Sequence, residues 1–208
     1  VTVVSMGPPQ ADVALREALA MGCDEAFLVS AREFGGSDTY ATSGIIAAAL
    51  KKIGYDLIIT GRQAIDGDTA QVGPQIAEKL ALPQVSYVEE VIEATEEYVV
   101  VKRQYEDGYH IIKIKTPCLL TAIAELATPR YMSVRGIVEA YEAEIKVLGF
   151  EDLKDELELD MIGLKGSPTN VYQSFTKEVK GAGTILEGLS ADEAVKAIMD
   201  KLEAKFII

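Results

Sequence analysis

The first half of the chain alternates short apolar runs with longer segments of helical spacing. The short runs are rich in β-branched residues and bounded by turn residues, which predicts buried strands at 1–5, 26–29 and 56–60. Apolar residues recur every three or four positions over 10–21, 38–53 and 69–82, which predicts helices there. This alternation predicts an α/β fold with a mostly parallel sheet and helices on both faces. Ligands of such folds gather at the carboxyl ends of the strands.

The pattern changes at Pro83. Apolar and polar residues alternate over 86–92 and 98–105, and Glu106-Asp107-Gly108 is a hairpin turn into 109–114. A buried run at 118–123 follows, so we expect an antiparallel extension on the α/β core.

Core signals weaken in the last third of the chain. Residues 139–158 are acidic and poorly periodic, and a last helix is expected after Ser190, with Ala194, Ile198 and Leu202 inward. We therefore expect a nucleotide-binding α/β domain at 1–146 and a C-terminal arm at 147–208 that packs on another subunit. The alternative is a disordered or self-packed tail.

The formal charge of −13 argues against nucleic acid and anionic membranes as partners. Cys23 and Cys118 are the only cysteines and lack metal-ligand spacing, which is typical of a reducing, cytoplasmic location. No apolar run approaches the roughly 18 residues of a membrane span. Neither a nucleophile–base–acid set nor a metal constellation is visible, as expected where a bound cofactor carries the chemistry.

The stretch GRQAIDGDTAQVGP, residues 61–74, is the strongest candidate site. It follows a predicted strand and precedes a predicted helix, with Asp68 as N-cap and Gln71 at N3 of a capping box. Free backbone N–H groups and the helix dipole favour a phosphate there, and Gly67 lets the backbone approach a ligand. Met6 ends the first strand at the same edge. The alternative is a βα loop without a ligand, and Asp66 and Asp68 oppose a site built mainly on positive charge. The candidate cofactor-binding residues are Met6, Gly61, Arg62, Gln63, Ala64, Ile65, Asp66, Gly67, Asp68, Thr69, Ala70, Gln71 and Val72.

This stretch resembles the nucleotide-binding loop of the beta subunit of electron transfer flavoproteins. Three other stretches resemble segments of that family. Its first nucleotide-side loop resembles VVSMGPP from Val3, and its signature segment resembles VKRQYEDG with TPCLLT. Its partner-recognition loop resembles PRYMSVRGI from Pro129. The resemblance covers the whole chain in order. It implies a Rossmann-like fold of the adenine nucleotide alpha-hydrolase-like kind. The family normally has a further strand, loop and helix before the position of Val1, which is a departure here.

The resemblance also implies a cofactor and partners. One kind of beta subunit carries AMP as a structural ligand. The other carries FAD, takes a hydride from NADH and splits the electron pair between two acceptors. The small Gly67 and Ala70 look more like the FAD kind. An alpha subunit and an acyl-CoA dehydrogenase are the implied partners.

Residues 129–137 are the implied docking segment, with Tyr131, Met132, Val134 and Ile137 as its apolar side chains. The position of Val134 matches an apolar anchor in the resembled family. The alternative is that Val134 packs inside its own subunit.

Two rival functions stay open. Phe34-Gly35-Gly36-Ser37-Asp38-Thr39 resembles the pyrophosphate loop of adenylating enzymes, although Phe34 replaces the leading serine. An ATP-cleaving enzyme of the same fold is therefore one alternative, and a nucleotide-sensing module is another. A loop that lines a cofactor at the mouth of the same cleft fits this segment better.

Overall fold

The computed structural model describes residues 1–65, 67–176 and 181–207. The chain forms two compact units, residues 1–170 and 171–208. The strands are β1 (Thr2–Met6), β2 (Glu25–Val29), β3 (Leu57–Gly61), β4 (Gln84–Ala94), β5 (Tyr98–Tyr105), β6 (Gly108–Lys115), β7 (Cys118–Ala122) and β8 (Lys146–Leu148). The helices are α1 (Asp12–Ala20), α2 (Thr39–Ile53), α3 (Val72–Lys79), α4 (Val134–Glu142), α5 (Phe150–Leu153) and α6 (Ala191–Glu203).

The strands of the first unit form two sheets. One is parallel, in the order β1-β2-β8. The other has the order β3-β7-β4-β5-β6, in which β3, β7 and β4 are parallel and β4, β5 and β6 are antiparallel. The predicted α/β class and its antiparallel extension are therefore confirmed.

The expected single sheet is instead divided between β1 and β3. These two strands are edges, and no pairing joins them within the described part of the chain. One apolar cluster nevertheless contains Ile58 of β3, Leu50 of α2 and Ile76 of α3, and Val4 of β1 packs against it. Helix packing and apolar burial thus hold the two sheets together where strand hydrogen bonds do not.

Helix α2 begins as the sequence predicts. Asp38 is its N-cap, and Gly54 follows its last residue with φ of 86°, a left-handed conformation that suits glycine. Its small buried residues, such as Ala41, Ala48 and Ala49, let neighbouring elements approach closely.

Helix α3 begins at Val72 and not at Thr69, so the predicted capping box is wrong. Asp68 and Ala70 have φ of 54° and 53°, left-handed values that a right-handed helix cannot include. Gln71 occupies the N-cap position, and its side chain makes no capping bond.

Helix α3 lies very close to β3 and β7 because residue 73 is glycine. A Cβ at Gly73 would lie 2.6 Å from Thr60 Oγ1 and 2.8 Å from Thr121 Cγ2. No side chain fits between these elements.

The chain after residue 127 holds more structure than expected. Helix α4 packs on α1, where Arg16 Nη1 donates to the Ala140 carbonyl at 2.6 Å and a Cβ on Gly136 would lie 2.7 Å from the Ala20 carbonyl oxygen. The expected boundary between residues 146 and 147 falls within β8, and the first unit continues to Asn170.

The second unit contains the predicted last helix, α6. Ser190 Oγ accepts from the Glu193 N–H, and the Glu193 carboxylate accepts from the Ser190 N–H at 2.9 Å, a capping box. Hydrogen bonds from Ser190 hold the pKa of the Glu193 carboxyl below its usual value. On the expected inner face Ala194 and Leu202 are half-buried, whereas Ile198 is exposed.

Among the described residues, no helix combines the length and apolar character needed to cross a membrane.

Candidate functional site

The carboxyl ends of β1 and β2 open onto a cavity of about 660 Å³. The size is within the range of small-molecule sites. Buried Val29 and Phe34 give the cavity an apolar wall, and Arg32 adds one positive charge. The lining residues are Met6, Gly7, Pro8, Pro9, Val29, Ser30, Ala31, Arg32, Phe34, Gly35, Gly36 and Ser37.

One rim of this cavity is fixed by hydrogen bonds from Ser37 and Asp38. Asp38 Oδ1 accepts from the backbone N–H groups of Tyr40 and Ala41, both at 3.0 Å. Asp38 Oδ2 accepts from the N–H of Thr169 at 3.0 Å and from its hydroxyl at 2.8 Å. Burial opposes ionisation, but these donors hold the pKa of the Asp38 carboxyl below its usual value. The first N–H groups of α2 are thus taken by a carboxylate, and a ligand must find other donors.

Ser37 ties the same rim to the chain around residue 163. Its hydroxyl donates to the Phe34 carbonyl at 2.8 Å and accepts from the Gly163 N–H at 3.1 Å. Ser167 Oγ accepts from the Asp38 N–H at 2.8 Å and donates to the Gly163 carbonyl at 2.6 Å. A segment that the sequence predicted to be part of an arm therefore braces the mouth of the cavity.

The loop at 62–71 is exposed over most of its length. The Asp68 N–H donates to the Ala64 carbonyl at 3.0 Å, and the Gln63 side-chain amide donates to the Asp68 carboxylate. Gly67 has an ordinary φ, and a Cβ there would meet nothing within 4 Å. The turn itself therefore does not require glycine at position 67.

A hydrogen bond joins the end of this loop to the cavity rim. Thr39 Oγ1, in the first turn of α2, donates to Gln71 Oε1 at 2.9 Å. One turn into each helix, Ser43 Oγ donates to Gln75 Oε1 at 3.0 Å. These bonds align the starts of α2 and α3.

The structure separates the predicted cofactor-binding residues. Met6 lines the cavity, and Gln71 touches its rim through Thr39. Arg62 lines a different cavity beside β4 and β5. Asp66 lies outside the described residues. The others, which do not line the cavity, are Gly61, Gln63, Ala64, Ile65, Gly67, Asp68, Thr69, Ala70 and Val72.

Sequence reasoning missed Ser30, Ala31 and Arg32 as lining residues. They follow the second strand directly, as Met6 and Gly7 follow the first. Ser30, Ala31 and Arg32 could therefore have been predicted from their position at the carboxyl end of a parallel strand.

A second candidate surface lies at the start of α4. The Ser133 hydroxyl caps the helix by accepting from the Gly136 N–H at 2.9 Å. Val134 is 81% exposed and Tyr131 is fully exposed, so the alternative that Val134 packs in the core of its own chain is wrong. Met132 and Ile137 instead help line a small cavity of about 160 Å³ against α1.

A nucleotide-sized cavity at the carboxyl ends of parallel strands is typical of α/β nucleotide-binding proteins. Comparison with known proteins is more specific. Residues 1–153 match the family profile described as "Electron transfer flavoprotein domain". The chain therefore belongs to the electron transfer flavoprotein family, as its resemblance predicted, and electron transfer is its role.

Relatives match the whole chain and 79% of their own length in each case. One is 56% identical, the acryloyl-CoA reductase electron transfer subunit gamma of Anaerotignum propionicum. Another is 53% identical, the electron transfer flavoprotein subunit beta of Thermoanaerobacterium thermosaccharolyticum. A third, subunit CarD of the caffeyl-CoA reductase-Etf complex of Acetobacterium woodii, is 51% identical.

Proposed function

We propose that this chain is a beta subunit that binds FAD and forms a heterodimer with an alpha subunit. The heterodimer passes electrons between NADH or an acyl-CoA dehydrogenase and a downstream acceptor, by flavin-based electron bifurcation. The observation that carries the proposal is the cavity of about 660 Å³ at the ends of β1 and β2, in a chain of this family. A bound flavin would supply the redox chemistry.

The residues present fit an adenine nucleotide. Val29, Phe34 and Met6 offer apolar contact to a flat ring, and the side chain of Arg32 offers a positive charge to an anion. Gly35 and Gly36 leave their backbone open to a close ligand. The apolar wall would exclude water from the bound ring. Ser37 and Asp38 fix the rim of the cavity.

The loop at 61–72 is the proposed place for the phosphates. The Thr39–Gln71 hydrogen bond brings its end to the cavity rim, and the exposed Gln63 and Thr69 side chains can donate to oxygen atoms. Open space around Gly67 leaves room for a diphosphate. Together these features support a Rossmann-like, adenine nucleotide alpha-hydrolase-like site.

FAD is favoured over AMP because Gly67 and Ala70 are small. Two relatives are named as subunits that serve an acryloyl-CoA reductase and a caffeyl-CoA reductase, which supports a role beside CoA-ester redox enzymes. AMP as a structural ligand is the alternative. An adenylating enzyme finds less support, because the loop after β2 passes through a helical turn at Arg32–Phe34 before its glycines.

The proposed partners use surfaces outside the cavity. The acyl-CoA dehydrogenase would dock at Tyr131, Met132, Val134 and Ile137, and the alpha subunit would cover the arm at 147–208. Many apolar side chains of the second unit are exposed, among them Tyr172, Phe175 and Phe206, which supports a covering partner. A cytoplasmic location is proposed from the two unpaired cysteines.

The test is to identify the nucleotides released from the purified heterodimer. We expect FAD bound to each subunit, with flavin absorption bands that bleach when NADH is added. AMP together with a single FAD would overturn the FAD assignment and leave the family intact. A colourless protein that turns over ATP would favour the adenylating alternative.

A further inference from the structure

The buried face of strand β5 carries a charged residue, Arg103, at a position where the alternation of the strand predicts an apolar one. Val99 and Val101 of β5 are buried in the core. Strand alternation puts Arg103 and Tyr105 next on the same face. An arginine in line with a buried face is unusual unless it is paired.

Arg103 forms no ion pair with any residue that the structure describes. Its Nε is buried and has no hydrogen-bond partner among the residues that the structure describes. None of the described carboxylates lies within salt-bridge distance of Arg103 or of the neighbouring Arg62. A buried donor without a hydrogen-bond partner lowers the free energy of unfolding, so the buried Nε of Arg103 should destabilise the fold.

A bulge in β4 turns Tyr87 toward the same place. Its pairing with β7 shifts register between Val85 and Val88, and Tyr87 has a left-handed φ of 59°. The Tyr87 N–H donates to Thr121 Oγ1 at 3.1 Å. Bulges of this kind re-aim a side chain and are frequent near binding sites.

The two arginines and two tyrosines converge on one cavity. Arg62 Cζ lies 6.0 Å from the centre of the Tyr87 ring, and Arg103 Cζ lies 5.4 Å from that of Tyr105. The Tyr105 ring also lies against the His110 ring, with centroids 4.9 Å apart. The cavity measures about 490 Å³ and is lined by Arg62, Tyr87, Arg103, Gln104, Tyr105 and Glu106.

We propose that this cavity binds a small organic oxyanion, a phosphate or carboxylate held by Arg62 and Arg103. Guanidinium groups bond such anions in pairs of parallel hydrogen bonds, and a buried free Nε–H is the donor such a bond needs. Tyr87 and Tyr105 cover the organic part. Glu106 favours a ligand that also carries hydrogen-bond donors.

This cavity shares no lining residue with the cavity at the ends of β1 and β2. Arg62 also belongs to the loop proposed for the FAD phosphates, whereas Arg103 does not. In a chain of formal charge −13, two arginines that pair with none of the described carboxylates form a local attraction for anions.

The experiment is calorimetric titration of the full chain, as its purified heterodimer, with inorganic pyrophosphate and separately with citrate. At least one probe should bind saturably, and R103M should weaken that binding roughly tenfold or more, the usual effect of losing a charged hydrogen bond. The preferred probe tells a phosphate ligand from a carboxylate ligand. The matched control is K113M, an exposed residue of β6 that removes the same charge outside the cavity and should leave affinity unchanged.

Binding of neither probe, or equal weakening by R103M and K113M, would overturn the proposal. R103M removes a donor that has no described partner, so the melting temperature of this variant should stay the same or rise. A lower melting temperature with unchanged affinity would show that Arg103 has a structural role and would contradict the proposal. R62M at the exposed side repeats the test if R103M does not fold. Flavin content, measured on each variant, reports separately on the proposed function.

Discussion

Asp38 shows at the scale of one residue how the rim of the large cavity is fixed. Its carboxylate caps α2 and reaches across to Thr169. We expect D38A to lower the free energy of unfolding by about 1–2 kcal/mol, the typical loss for an N-cap.

The pKa of Asp38 gives this prediction a pH dependence. The folded-state pKa is lower than the ordinary value of 3.8, because of the hydrogen bonds it accepts. Its stabilisation is therefore fully present above pH 3.8 and is lost as the pH falls through the folded value. Urea denaturation should show the gap between wild type and D38A closing only below that pH. A gap that closes near neutral pH would point to another group.

Gly67 is a second residue for which the structure distinguishes a role in the turn from a role in binding. Its φ is ordinary and the space around it is open, so a side chain should cost the turn little. G67V should therefore lose bound nucleotide, because its methyl groups enter the proposed diphosphate space, while the melting temperature stays unchanged. G108V is the matched control, since a Cβ at Gly108 also meets nothing within 4 Å and the residue lies outside the arm. Full nucleotide content in G67V would refute the phosphate role of this loop.

At the scale of elements, the seat of α3 depends on a missing side chain. A Cβ at position 73 would overlap Thr60 Oγ1 and Thr121 Cγ2. G73A should push α3 off β3 and β7 and destabilise the protein by about 1–3 kcal/mol, the usual cost of overpacking a core. Denaturant midpoints would measure it. G73A combined with T60S, which trims the methyl but keeps the clashing oxygen, should recover little. An unchanged midpoint for G73A would show that α3 moves freely.

Elements with a clear period could be predicted from the sequence, and those set by unusual backbone could not. The predicted bounds of β5 at 98–105 are those observed, and α2 differs only at its cap. The start of α3 was missed because nothing in the residue types of Asp68 and Ala70 announces a left-handed backbone. Helix α4 was missed because a broad acidic composition hid a short amphipathic segment. It packs on α1, and Ala140 is buried while most of its other residues are exposed.

The candidate site was only half predictable for a similar reason. Met6, which was predicted from the carboxyl end of β1, lines the cavity at the ends of β1 and β2, whereas the predicted loop at 61–72 contributes no lining residue to it. A linear motif gives no information about which side of a strand end its side chains face. Arg62 shows this, because it lies beside Tyr87 rather than Met6.

At the scale of the whole molecule, the exposed apolar side chains indicate surfaces that a partner protein covers. Val134 occupies the first position of α4 and is 81% exposed, next to fully exposed Tyr131. A partner pocket that buries Val134 would gain from each apolar carbon, about 0.8 kcal/mol apiece. Anchors of this kind dominate small interfaces.

V134A removes two of those carbons, which predicts a loss of about 1.5 kcal/mol, roughly tenfold in affinity for the acyl-CoA dehydrogenase. The folded chain should be unaffected, because the side chain touches little of its own unit and alanine is a better helix former than valine. Electron transfer to the dehydrogenase should slow at limiting partner concentration, with unchanged flavin content and melting temperature. V91A, at an exposed valine of β4 outside the docking segment and the arm, is the matched control. Normal electron transfer in V134A would move the docking surface away from α4.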